Sequence, residues 1–156
     1  MSGSASEKSN DTHISSGDFS ALRPRRQCAH RFLRGTWRGG QKIRHLLSEA
    51  VRQDVPLLMS AVNWGEAFYI AWTRHGEAKA REAEARLQEM PVAVITADRE
   101  RASRAGALKQ KHSLGYADAF AAELAIESGA WLVTADPEFS KVGKTLPVYS
   151  LPRHQK

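Results

Sequence analysis

Residues 113–139 constrain the fold of this chain more than any other stretch, because they join a helix pattern directly to a strand pattern. The alanine-rich helix pattern ends at Gly129, and a short apolar run, residues 130–134, follows it. The sequence Asp136-Pro137 ends that run, as expected for a turn. A helix followed by a short apolar strand is typical of a sheet that is covered by helices.

Two carboxylates in this stretch stand in unexpected places. Asp118 lies one helical turn after Leu114 and one turn before a pair of alanines, which places it on the apolar face of its helix. Asp136 follows the strand, at the edge where open α/β sheets bind their ligands. Because an unpaired charge is costly in apolar surroundings, these acids predict a hard cation, Mg²⁺ or Mn²⁺, bound through oxygen.

The length and composition favour one cytoplasmic domain. A chain of 156 residues can bury a core of its own. No apolar run approaches the roughly 20 residues that span a bilayer, and the polar start lacks the pattern of a signal peptide, so we expect no membrane partner. The single cysteine, Cys28, cannot form an intrachain disulfide and fits a reducing compartment. The six histidines lack the spacing of a zinc site.

The net charge of +6 comes from one N-terminal block. Residues 1–18 carry a net charge of −2, whereas residues 19–44 hold eight basic residues and no acidic one. Residues 45–156 hold fourteen residues of each sign and are neutral. Such a block can bind phosphate groups, but the charge does not indicate a basic groove elsewhere in the chain.

Residues 1–39 are predicted to be a disordered or irregular basic segment. Residues 1–17 have almost nothing to bury, and we expect them to be disordered. Residues 19–39 are rich in Arg and Gly and lack a hydrophobic period, so we expect no strand from them. Ordinary globular sequence begins at Gly40, and we place the folded domain at residues 40–152.

Helix and strand patterns alternate through this domain. Helices are predicted at residues 41–52, 61–74, 77–90, 98–111 and 113–128, and strands at 57–59, 91–96, 130–134 and 146–151. Ser60 and Asp98 are candidate N-caps. The continuous β-branched run of residues 91–96 indicates a parallel strand covered on both faces. The expected fold is therefore a three-layer α/β domain with a mainly parallel sheet.

A third acid, Glu66, lies along the apolar side of the predicted helix 61–74, between Val62 and Ile70. Each acid also has a purely structural explanation. Asp136 followed by proline is a good helix start, and Asp118 and Glu66 are acids in the first turns of helices, where the helix dipole favours them. Their expected convergence at one edge of a parallel sheet favours a common site.

Three segments together resemble the PIN-domain ribonucleases, most closely the VapC-type toxins of bacterial toxin–antitoxin pairs. They read SAVNWGE at residues 60–66, LGYADAF at 114–120 and LVTADPEF at 132–139. The resemblance implies a ribonuclease whose four acids hold one or two Mg²⁺ or Mn²⁺ ions. It also implies RNA, an antitoxin and a second copy of the chain as partners. By motif, the second, third and fourth acids are Glu66, Asp118 and Asp136, and Thr134 is the supporting hydroxyl.

The first acid of the family has no counterpart here. The family's first strand ends in Asp-x-Ser-Ala, which should fall near residues 25–30, and Arg26 stands at the Asp position. Asp18 has suitable neighbours but lies too far upstream. We therefore expect a degraded first strand and low or no nuclease activity.

Two other functions remain open. The first is a catalytically inactive PIN-like binding module that keeps the antitoxin or dimer surface. The second is a magnesium-dependent phosphatase on a flavodoxin-like fold, which would need a nucleophilic Asp after the first strand. The basic residues Arg101, Arg104 and Lys111 could contact RNA phosphates, although a solvated helix face is the favoured interpretation.

Residues 19–39 also suggest a reading-frame error. Their composition is what out-of-frame translation of a GC-rich gene gives, and globular sequence resumes abruptly at Gly40. In another frame, the nucleotides should encode an apolar strand ending in Asp-x-Ser-Ala some 13 residues before Gly40. Stop codons in both other frames, or the absence of that motif, would contradict the hypothesis.

Overall fold

The computed structural model of the protein describes residues 27–29 and 37–152, with side chains from residue 41 onward. The predicted disorder of residues 1–17, and most of the predicted irregular segment 1–39, lie outside the described residues.

Five parallel strands form one sheet in the order β3-β2-β1-β4-β5. The strands are β1 (Gln27–Ala29), β2 (Leu57–Ser60), β3 (Val92–Ile95), β4 (Trp131–Thr134) and β5 (Val148–Ser150). The helices are α1 (Trp37–Gln53), α2 (Ala61–His75), α3 (Glu77–Gln88), α4 (Arg99–His112) and α5 (Tyr116–Glu127), and a 3-10 segment spans Pro137–Thr145. The predicted α/β class with a mainly parallel sheet is confirmed.

The central strand β1 corrects one expectation. We expected no strand from residues 19–39, yet Cys28 pairs in parallel with Leu58 of β2 and with Leu132 of β4. A strand with partners on both sides gains its backbone hydrogen bonds from them, so it can form without a hydrophobic period of its own. With three residues, β1 is as short as β5. Helix α1 also begins before Gly40, at Trp37.

The core lies on both faces of the sheet. Leu57 and Val133 pack with α1 on one face, whereas their neighbours Leu58 and Leu132 pack with α5 on the other. This alternation follows from the two-residue period of a strand. Eight of the twelve residues of α5 are buried, which explains why its sequence is rich in small alanines.

The predicted N-caps are confirmed. The Ser60 hydroxyl accepts a hydrogen bond from the backbone N–H of Val62 at 3.3 Å, and the Asp98 carboxylate accepts one from the N–H of Arg101 at 2.8 Å. This last bond is the main reason why the pKa of Asp98 is lowered. Within the described residues, no helix is long and apolar enough to cross a membrane.

Two arginines of α4 have a structural role, whereas the sequence indicated only contact with RNA phosphates or a solvated helix face. Glu123 of α5 is buried, and its carboxylate accepts hydrogen bonds from Arg101 Nη1 at 3.0 Å and Arg104 Nε at 2.7 Å. Both arginines also contact Glu127. Because a buried carboxylate needs a cation, these arginines neutralise Glu123 and are not simply solvated.

Candidate acidic site at the carboxyl edge of the sheet

The three predicted acids lie at the carboxyl edge of the parallel sheet. Strand β2 ends at Ser60, and α2 begins at the next residue and carries Glu66 in its second turn. Strand β4 ends at Thr134, two residues before Asp136. Because only β1 separates β2 from β4, their ends are roughly 10 Å apart.

Asp136 is held by a turn at the end of β4. The hydroxyl of Thr134, which is buried, accepts a hydrogen bond from the backbone N–H of Asp136 at 3.0 Å. Asp136 Oδ1 in turn accepts the N–H of Glu138 at 2.9 Å and so caps the 3-10 segment. The predicted helix start is therefore confirmed. A carboxylate offers about four acceptor sites, so capping does not exclude a second role as a ligand.

Asp118 lies in the first turn of α5 and is only 5% exposed. Its carboxylate folds back over Gly115, the N-cap residue. A Cβ atom on Gly115 would therefore stand only 2.6 Å from Asp118 Oδ2. Only glycine leaves room for this arrangement. The position of the Asp118 carboxylate therefore depends on the glycine three residues before it.

Asn63 joins the two helices that carry Glu66 and Asp118. This buried residue of α2 donates from Nδ2 to the carbonyl oxygen of Ala117, at 2.8 Å. Glu66 follows Asn63 by three residues, so both lie along one side of α2. Asn63 belongs to the motif at residues 60–66, but the sequence alone indicated no role for it. The signal that could have found it is an amide on an apolar helix, one turn before a candidate acid.

Glu66 itself is half-buried on α2. The neighbouring Trp64 points toward α3, where its indole Nε1 donates to Glu84 Oε1 at 3.2 Å. Asn63 instead contacts α5. Helix α2 thus uses one side to pack against α3 and another to approach the helix that carries Asp118.

The donor atoms have the chemical type that a hard cation prefers, but they do not form a group of three ligands. Carboxylate and hydroxyl oxygens are the ligands that Mg²⁺ and Mn²⁺ prefer. Among residues 27–29 and 37–152, however, no three His, Cys, Asp or Glu side chains form a group that could hold a metal ion. The sequence also offers no acid between residues 19 and 44 that could follow β1. The donor types therefore fit a hard cation, but the described side chains do not form a closed metal site.

The contact between Gly115 and Asp118 gives a first testable prediction. In Gly115→Ala, the new Cβ atom would overlap Asp118 Oδ2, and the carboxylate must rotate away. We expect a change in the free energy of unfolding of less than about 1 kcal/mol, because only the end of one side chain moves. Any stabilisation by Mn²⁺ should fall to the level of Asp118→Asn. Thermal melts of both variants, with and without Mn²⁺, check this, and unchanged stabilisation in Gly115→Ala would contradict it.

Comparison with known proteins identifies the family. The PIN domain family profile matches residues 31–145, and no curated protein matches the chain. A VapBC2 structure from Rickettsia felis, bound to a promoter DNA fragment, is similar with a TM-score of 0.58 and 15% identity. The match covers 72% of this chain and 86% of that one.

Two further structures share the fold. VapBC-1 from nontypeable Haemophilus influenzae matches with a TM-score of 0.54 and 22% identity, over 70% of this chain and 88% of that one. VapC20 from Mycobacterium tuberculosis, a toxin that cleaves the sarcin–ricin loop, matches with a TM-score of 0.51 and 21% identity, over 64% and 82%. Identities this low indicate a shared fold only. Because the family profile spans most of the chain and the fold agrees with it, this protein belongs to the PIN-domain family.

Proposed function

We propose that this chain is the toxin of a toxin–antitoxin pair and a ribonuclease that depends on Mg²⁺ or Mn²⁺. Glu66, Asp118 and Asp136 are the proposed metal ligands, and Thr134 supports Asp136. The observation that carries the proposal is the position of all three acids at the carboxyl edge of one parallel sheet. The fold shared with VapC20, a toxin that cleaves the sarcin–ricin loop, supports the same function.

The residues named here have two different roles in such a site, as metal ligands and as positioning residues. A divalent ion supplies, when bound, a Lewis acid and a more acidic water for phosphodiester hydrolysis. Asp118 and Asp136 would hold that ion through carboxylate oxygens, and Glu66 would provide a third carboxylate from α2. Asn63 and Thr134 are positioning residues, because one ties α2 to α5 and the other fixes the backbone of Asp136. Mg²⁺ keeps several waters, so three carboxylates suffice for weak binding.

The proposed partners follow from the toxin function. RNA is the substrate, an antitoxin protein is the inhibitor, and a second copy of the chain completes a homodimer in the cytoplasm. The VapBC structures, which share the fold, support the antitoxin as a partner. Copurification with the product of the adjacent gene, followed by a measurement of the molar mass of the complex, tests both protein partners.

A catalytically inactive binding module is the second candidate function. It is favoured by the lack of an acid after β1 and by the absence of a three-ligand group among the described side chains. Such a module would keep the antitoxin or dimer surface and cleave nothing. It differs from the first candidate in one measurable property, the cleavage of RNA.

Cleavage of RNA by the purified protein therefore tests the proposal. We expect slow cleavage with 10 mM Mn²⁺ or Mg²⁺, none with EDTA, and a clearly lower rate in Glu66→Gln. Glu89→Gln is the matched control, because it makes the same carboxylate-to-amide change at an exposed residue after α3. Activity in EDTA, or equal activity in both variants, would point to a contaminating nuclease. No cleavage under any condition would leave the inactive module as the function.

A further inference from the structure

We propose that Tyr116 stacks on a base of single-stranded RNA and so determines where the substrate lies against the acidic edge. This inference rests on the proposed function and adds a specificity-determining residue to it. Tyr116 is 54% exposed, whereas residues 118–125 of the same helix are all buried. The exposed ring is therefore confined to the end of α5 that carries Asp118.

A contact with a core residue orients the ring of Tyr116. It packs edge-to-face on Phe120, one turn further along α5, with 5.1 Å between ring centroids and an angle of 80°. Phe120 is buried in the core. Such contacts fix the orientation of an aromatic ring. An exposed but oriented ring is suited to stacking, because little rotational freedom remains to be lost when a base binds.

The backbone around Tyr116 is fixed relative to the acids. The carbonyl of Ala117, the next residue, accepts the hydrogen bond from Asn63 of α2. Asp118 follows one residue later and folds back over Gly115. The Tyr116 ring is therefore held at the end of α5 that carries Asp118.

Positive charge lies at the same end of α5. The last turn of α4 carries Lys109, whose Nζ donates to the carbonyl of Leu114 at 3.1 Å, two residues before Tyr116. A carbonyl is neutral, so this bond orients the ammonium group without compensating its charge. Lys109 therefore places positive charge near the ring.

An exposed aromatic ring beside a cation matches single-stranded nucleic acid better than a protein partner. Proteins bind single strands by stacking bases on aromatic side chains while lysine and arginine follow the phosphates. Stacking of this kind tolerates different bases, because every base has a π face. The chemistry at this end of α5 thus fits a single-stranded RNA segment, and a protein contact is the alternative that the experiment below separates from it.

The test measures binding apart from cleavage. A short single-stranded RNA that contains 2-aminopurine is titrated with the full chain in EDTA, where a metal-dependent enzyme does not cut. We compare the wild type with Tyr116→Ala, Tyr116→Phe and Val51→Ala; Val51 is an exposed apolar residue at the end of α1. Stacking predicts that Tyr116→Ala raises Kd about 5- to 100-fold and removes the quenching of 2-aminopurine. Tyr116→Phe and Val51→Ala should bind as the wild type does.

Each outcome separates this inference from the proposed function. RNA binding that depends on Tyr116, without cleavage in Mn²⁺, would support the inference and contradict the ribonuclease. Cleavage in Mn²⁺ with an unchanged Kd in Tyr116→Ala would support the ribonuclease and overturn the stacking role, leaving a protein contact for the ring. No binding of RNA by the wild type would overturn the stacking role, whatever the cleavage assay gives. Circular dichroism of each variant checks that it is folded.

Discussion

Phe139→Ala should lower the free energy of unfolding by about 3–5 kcal/mol, the largest stability loss that we expect from one substitution in this protein. Phe139 is among the largest fully buried side chains, at 1% exposure, and it packs in the core formed with α5. The substitution removes its apolar contacts and leaves a cavity that the neighbours fill only in part. Denaturant unfolding, or a fall in Tm of about 10 °C, measures this loss.

The same substitution should also disturb the acidic edge. Phe139 anchors the 3-10 segment that Asp136 caps, three residues earlier. Phe139→Leu is the control, because it keeps most of the apolar volume and should cost clearly less than Phe139→Ala. A loss below about 1 kcal/mol in Phe139→Ala would mean that the 3-10 segment does not pack as described.

Asp118→Asn should reduce RNA cleavage by about 100-fold or more, the largest functional loss that we expect. Even residues behind a metal ligand commonly change activity 10- to 100-fold when replaced, so a ligand should have at least that effect. The substitution keeps the size of the side chain and removes its negative charge, which is what holds a cation. Cleavage rates at saturating Mn²⁺, compared with the wild type, measure this loss.

A structural effect of Asp118→Asn must be separated from a chemical one. Asp118 is buried in the first turn of α5, so the variant could also alter stability. An unfolding curve measured beside the rates distinguishes the two causes. Wild-type cleavage by a folded Asp118→Asn protein would remove Asp118 from the proposed ligand set.

The elements that sequence analysis located well are those with a strong local signal. The β-branched run of residues 91–96 contains β3. Ser60 and Asp98, which were predicted as N-caps, cap α2 and α4. Hydrophobic period and capping chemistry act within a few residues, so they can be recognised without knowledge of the fold. The PIN-domain resemblance was also confirmed, and its three motifs lie on or beside α2, α5 and β4.

Features that depend on distant residues could not be located in this way. Strand β1 forms because β2 and β4 flank it, and Gln27–Ala29 has no pattern of its own. The bond from Asn63 to Ala117 spans 54 residues, and the two arginines of α4 are paired with a buried Glu123 that the sequence did not single out. Such partners are set by tertiary packing, which local patterns do not encode.

The frame-error hypothesis loses one of its supports but stays a prediction. It assumed that residues 19–39 cannot supply a strand, and β1 is supplied by Gln27–Ala29. The lack of an acid in that region remains, and it limits the proposed site to three carboxylates. The nucleotide sequence around codons 15–45 would show whether another frame encodes Asp-x-Ser-Ala.

We propose that Glu66, Asp118 and Asp136 together bind a divalent ion, and a thermal melt with Mn²⁺ tests this claim most directly. An ion with a Kd of about 1 mM that binds only the folded state stabilises it by about 1.4 kcal/mol at 10 mM. We therefore predict that Tm rises by about 3–6 °C for the wild type and by less than about 1 °C for Asp118→Asn. A wild-type Tm that does not change with Mn²⁺ or Mg²⁺, or an equal rise in both proteins, would contradict the claim.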